Sequence, residues 1–249
     1  MSAALPPPLA TTVDGIWRFQ SLGAQCRILP DGCMDFVFDL NSGTAEVVGS
    51  MTRAELIAPP LGARYFGVRF LPGVAALLID AHAGELTDAS VELAPLLCAE
   101  WRTLPERVAS LPDDSARVHT LERFLAAANN RRRVSDARLT FAVNELRRSA
   151  GARRVRELAR EVGVSERQLE RLFDERVGVR PKLFARVMRM QHAVTLLRKR
   201  ALPTQAALAI EAGYSDEPHL LRDFRELTAV TPREAAAEPH VGIVQDARA

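Results

Sequence analysis

Long apolar runs, cysteine pairs and catalytic signatures are all missing from this 249-residue chain. No stretch approaches the roughly 18 consecutive apolar residues of a membrane span, so no membrane partner is expected. Cysteine occurs only at Cys26, Cys33 and Cys98, an odd number without close pairs. That argues against a disulfide framework or a zinc knuckle and for a reducing compartment. The opening MSAALPPPLATTVDG lacks a basic region followed by an apolar one, from which we expect no export signal and a cytoplasmic location. The sequence has no phosphate-binding Gly-Lys-Ser/Thr loop, no His-Glu-x-x-His and no Cys-x-x-Cys. No catalytic residue, metal site or cofactor is therefore expected, and the chain reads as a non-enzyme.

Apolar residues are 47% of the chain, enough for real cores. The formal net charge of +2 hides an asymmetry: residues 1–130 hold 9 basic against 15 acidic side chains, and residues 131–249 hold 24 against 16. A basic half fits a polyanion such as nucleic acid. The periodicity also divides. MDFVFDL alternates, with Met34, Phe36, Phe38 and Leu40 on one face and Asp35, Val37 and Asp39 on the other. GIWRFQ, QCRILP, AEVVGS and RYFGVRF are further short runs between turn residues. From Pro72 the spacing of PGVAALLIDAHAGEL, LAPLLCAEWRTLPERVASL and SARVHTLERFLAAANN becomes that of amphipathic helices. Asn129-Asn130 before Arg131-Arg132-Arg133 is the linker candidate. The expected organisation is a front domain over 1–130 (β-rich to about 71, then helical), a basic helical domain over 131–236, and a tail over 237–249. The fold class is α+β.

The helical half repeats itself. LAREVGVSERQLERLFDERVGVRP (158–181) aligns with LAIEAGYSDEPHLLRDFRELTAVTP (208–232). Ala159 and Gly163 match Ala209 and Gly213; after one added residue, Leu169, Phe173 and Pro181 match Leu220, Phe224 and Pro232. Two copies of one helix-turn-helix unit are implied. Each glycine suits the left-handed position of the turn. Ser165 caps the next helix with Gln168 as its capping-box partner, and Ser215 or Asp216 does so in the second copy. Leu169, Leu172 and Phe173 face inward in one helix, and Leu220, Phe224 and Leu227 in the other. Arg167, Gln168, Glu170 and Arg171 are left outside, as are Glu217, His219, Leu221 and Arg222. Arg171 and Arg222 occupy the same repeat position.

With these motifs, and with RVMRMQHAVTLLRK between the two copies, the last hundred residues resemble the DNA-binding domain of the AraC family of transcription regulators. The resemblance implies an all-α domain of seven helices, with two helix-turn-helix units joined by a long helix at Pro181 to Arg200. It also implies sequence-specific binding, with the second helix of each unit in adjacent major-groove segments on one DNA face. The family's base-contacting positions map onto Arg167, Glu170 and Arg171, then Glu217, His219, Leu221 and Arg222, with Gln168 beside them. Ala229 departs from the usual glycine and Leu220 from a larger aromatic. The front half resembles the N-terminal domain of one AraC-type subgroup through ILPDGCMDF and GVRFLPG, and is expected to sense a ligand or a partner. Double-stranded DNA and RNA polymerase are the implied partners, with a small-molecule effector and a homodimer left open. Two rivals stand beside this: a DNA-repair alkyl transferase fused to such a domain, for which the reactive-cysteine motif is missing, and an interaction module that no longer binds DNA.

Other clusters carry blander expectations. Asp31, Asp35 and Asp39 read as a solvated strand face, and Cys26 and Cys33 as buried free thiols. Trp17, Phe19, Phe36, Phe38, Tyr65, Phe66 and Phe70 read as core before pocket. His219 is favoured for groove contact over catalysis. Some of Arg147, Arg148, Arg153, Arg154 and Arg156 are expected on phosphates.

Overall fold

The computed structural model describes residue 9 and residues 11–130, 136–199 and 204–237. The arginine run at 131–133, Arg200 and the tail from 238 lie outside the described residues. The front half is built on strands β1 (Val13–Gln20), β2 (Cys26–Ile28), β3 (Met34–Asp39), β4 (Ala45–Val48), β5 (Glu55–Ile57), β6 (Arg64–Phe70) and β7 (Ser90–Glu92). Five form an antiparallel sheet in the order β1-β6-β3-β4-β7, while β2 and β5 make a separate two-stranded ribbon. The alternation read from MDFVFDL sets the sheet's two faces. Phe36, Phe38, Phe66 and Phe70 point inward and are almost fully buried, packed with Trp101 and Phe124. Burying each of these phenylalanines stabilises the fold by about 1.5–3 kcal/mol.

Helices α1 (Leu104–Ser110) and α2 (Asp114–Asn130) close this core. The stretch from Pro72 departs from the expected helices. Residues 75–77, 83–86, 94–96 and 99–101 form short 3-10 turns, and Ser90–Glu92 joins the sheet as β7. The helical spacing of Ala75, Ala76, Ile79, Ala83 and Leu86 is real, since all five are buried. Successive 3-10 turns satisfy the same spacing, and the extended backbone at His82 (ψ 137°) and Thr87 (ψ 130°) interrupts any continuous helix.

The back half is helical throughout its described residues: α3 (Ala137–Arg148), α4 (Val155–Glu161), α5 (Glu166–Val177), α6 (Pro181–Lys199), α7 (Gln205–Glu211), α8 (Glu217–Thr228) and α9 (Pro232–Ala237). These are the seven helices that the resemblance implies. One core joins α3, α4, α5 and the start of α6; another joins the rest of α6 to α7, α8 and α9. The second core also takes in Leu29 of the front half.

Candidate nucleic-acid interface

Each helix-turn-helix unit folds as its residues require. In the first, Ala159 is buried where α4 meets α5, and Gly163 takes φ +71° in the turn. Ser165 Oγ accepts from Gln168 N (3.2 Å) while Gln168 Oε1 accepts from Ser165 N (2.9 Å), which closes the capping box. Leu169 and Phe173 are buried, and Phe173 meets Phe184 of α6 edge-on at 5.7 Å. Arg167, Gln168 and Arg171 are exposed and Glu170 is half-buried. With Asp174 and Arg180 they line an open groove of about 610 Å³. Gln168 is turned back onto its own cap, so its amide is less available than those of its outward neighbours.

The second unit repeats the plan. Ala209 is buried, Gly213 has φ +79°, and Asp216 rather than Ser215 caps α8, accepting from His219 N at 2.7 Å. That amide, then the Ser215 hydroxyl, hold the Asp216 carboxyl below the usual aspartate range. Leu220, Phe224 and Leu227 are buried; Glu217, His219 and Leu221 are half-buried, and Arg222 is exposed. The His219 ring is tied locally, with Nδ1 3.1 Å from Ser215 Oγ and its face perpendicular to Tyr214. Arg186 of the bridging helix α6 pairs with Asp223 at 2.8 Å and with Glu226, fixing α8 to α6.

The five flanking arginines divide. Arg147 binds Asp14 of the front half at 2.5 Å, and Arg153 is held between Glu145 and Glu161. Arg148 lies on Glu145 at 2.8 Å. Arg147 is therefore a tie between the halves. Arg154 and Arg156 stay largely exposed, with carboxylates no closer than 3.9 Å, and line a basic groove of about 400 Å³ with Lys182.

Contacts that the sequence did not suggest hold the far ends of α5 and α8, the second helices of the two units. A helix leaves its last carbonyls without internal partners. In α5, Val177 O accepts from Ser50 Oγ and the following Gly178 O accepts from Thr87 Oγ1, each at 2.5 Å. In α8, Leu227 O accepts from Ala54 N at 2.7 Å and Thr228 O from Arg27 at 3.2 Å. Gln191 of α6 also donates to Pro30 O at 2.7 Å. All these partners of α5, α6 and α8 are front-half residues. Ser50, Thr87 and Arg27 are isolated polar residues far away in the chain, so no local pattern marks them.

The outer face of the sheet corrects a second expectation. Asp35 and Arg69 are both buried and bonded in parallel at 2.9 and 3.0 Å, and Asp31 takes the remaining guanidinium nitrogen at 2.6 Å. Asp31 and Asp35 are thus not a solvated face, because the β2–β5 ribbon covers this side; Asp31 also serves a turn, accepting from Cys33 N at 2.9 Å, and Asp39 another, accepting from Asn41 N at 2.7 Å. Burial opposes the Arg69 charge, but Asp31 and Asp35 outweigh it and raise its pKa. Burial also lifts Asp31, partly offset by Arg69. The Trp17 indole lies flat over Gly67, where a Cβ would stand 2.0 Å from the ring, and donates to Asp35 at 2.9 Å. Between sheet and ribbon is a cavity of about 350 Å³. Of the seven aromatics, Trp17, Phe19 and Tyr65 line it, whereas Phe36, Phe38, Phe66 and Phe70 belong to the core. Cys26 and Cys33 are buried and unpaired, as expected, and burial followed by Asp31 pushes the Cys33 thiol well up.

Comparison with known proteins fits this architecture. Residues 158–238 match a family described as "Helix-turn-helix domain", and residues 4–92 match a "Domain of unknown function (DUF6597)". No curated protein matches the chain. Among solved structures the chain is similar to an apo variant of ToxT from Vibrio cholerae, at 12% identity and a TM-score of 0.47, covering 89% of this chain and 96% of that one. An unsaturated fatty acid-bound ToxT from the same organism gives 11%, a TM-score of 0.45 and coverages of 91% and 95%. Both likenesses are too loose to transfer residue roles. The twin units and the matched family lead to one conclusion: residues 158–238 of this chain are an AraC-type helix-turn-helix domain.

Proposed function

We propose that the protein is a sequence-specific DNA-binding regulator of transcription. In this reading α5 and α8 enter adjacent major-groove segments, and the front half senses a small molecule. The carrying observation is that Arg171 and Arg222, at equivalent positions of the two units, are both exposed on the outer faces of capped helices. Arginine offers the fork that guanine edges accept. Arg167, Glu170, Glu217, His219 and Leu221 flank them as further base contacts, while Arg154, Arg156 and Lys182 suit phosphates. Arg171→Ala and Arg222→Ala should each weaken specific binding by about 1–3 kcal/mol and relax preference in one half of the site. One molecule should protect about two turns of DNA, since segments on one face lie about 34 Å apart. Uniform weakening on every sequence would reassign the arginines to phosphates. Protection confined to one groove segment would make the second unit structural only.

A further inference from the structure

The cavity between sheet and ribbon has a sign. Among the described residues that line it, Asp31, Asp35, Glu46 and Glu55 face a single guanidinium, Arg69. Every nitrogen of that guanidinium is already engaged by Asp31 or Asp35. An anionic ligand would find no uncommitted cation on these walls and would meet Glu46 and Glu55, both exposed, at the mouth. The rest of the wall is mainly apolar, apart from the Cys33 thiol, the Tyr65 hydroxyl and Ser90, whose hydroxyl donates to Glu46. The Trp17 ring packs against Gly67, where a Cβ would stand 2.0 Å from it, and lines the cavity together with Tyr65 and Ile57. An aromatic face near carboxylates favours a cation with little hydration of its own. The volume of about 350 Å³ lies within the roughly 300–1,000 Å³ of small-molecule sites.

We propose that this cavity is a binding site for a small organic cation with an apolar body, such as a substituted ammonium. The proposal rests on the regulator reading only for its consequence, and it supplies the chemical class of the effector. The walls are placed to report an occupant. Ile28 and Glu55 line the cavity from the ribbon, whose neighbouring Arg27 and Ala54 hold the end of α8. Gly49 and Met51 flank Ser50, which holds the end of α5.

The test uses the full chain and three probes of similar shape: benzyltrimethylammonium, neutral neopentylbenzene and anionic benzylsulfonate. Binding is read by calorimetry and by tryptophan fluorescence, because Trp17 lines the site. The cation should bind at least about tenfold more tightly than the neutral probe, and the anion should not bind measurably. Glu46→Gln combined with Glu55→Gln lies at the exposed mouth and should remove most of that preference while leaving the neutral probe unchanged. Gly67→Ala should displace Trp17 and weaken both. Equal binding of cation and neutral probe, a preference for the anion, or no binding of the cation at millimolar concentration by folded protein would overturn the proposal. DNA binding is measured on the same preparation without probe. Intact DNA binding with no cation binding defeats this inference alone, and the reverse result defeats only the regulator reading.

Discussion

Gly178 and Ala229 stand at the same place in the two units, just past the recognition helices, and both have left-handed backbone (φ 88° and 59°). Gly178 has no alternative: a Cβ there would lie 2.9 Å from Ala83 O. Ala229 is exposed, so its side chain meets only the intrinsic cost of that conformation. Ala229→Gly should therefore stabilise the protein by about 1 kcal/mol in urea unfolding, and Gly178→Ala should destabilise it. A neutral Ala229→Gly would show that the strain is relieved elsewhere. Residues whose role depends on a repeat were legible in the sequence: the outward places of Arg167, Arg171 and Arg222 follow from helix period and register alone. Asp31 and Asp35 were not, because their burial depends on Arg69, more than thirty residues away, and on a ribbon laid over them.

Helix caps work at the level of elements, and the two recognition helices differ in theirs. Ser165 does not titrate, whereas Asp216 caps as a carboxylate whose pKa is depressed. A depressed carboxylate adds stability that is complete above its unfolded pKa and is lost as pH falls through the folded value. Below about pH 4, amide exchange in α8 should therefore accelerate relative to α5. Asp216→Asn should abolish this difference; its persistence would place the acid-sensitive group elsewhere. The helix-turn-helix elements were readable because caps, turn glycines and apolar stripes are local signals, doubled by the repeat. Strands β5 and β7 carry no period in three residues each, and unlike β2, equally short, they were not picked out as a run between turn residues. The 3-10 turns after Pro72 imitate a helix in their burial and differ only in backbone continuity.

Across the whole molecule, charge and contact divide the labour. The segment from about residue 131 has two cores largely its own and the excess of basic residues, so it should fold alone and bind DNA. A surface touching 6–10 phosphates loses roughly 10³–10⁵ in affinity between 50 and 200 mM salt, and the fragment should show that steepness. It lacks the front-half donors to the ends of α5 and α8. The fragment should therefore discriminate less sharply between sites of different spacing than the full chain, in titrations against spaced half-sites. A folded fragment without affinity at low salt would mean that the DNA surface is shared by both halves. The charge split was plain in the sequence. The tie between the halves was not, since its donors and acceptors lie far apart in the chain.

At the ends of α5 and α8 the acceptors in that tie are main-chain carbonyls: Val177, Gly178, Leu227 and Thr228 offer oxygens that every residue type possesses. The side chains proposed to face DNA can therefore be rewritten without altering the groups the front half grips. On the regulator reading, target choice and response to a signal can then be inherited separately: exchanging Arg171 or Arg222 for another base reader should retarget the protein and leave the hydrogen bonds between the halves intact.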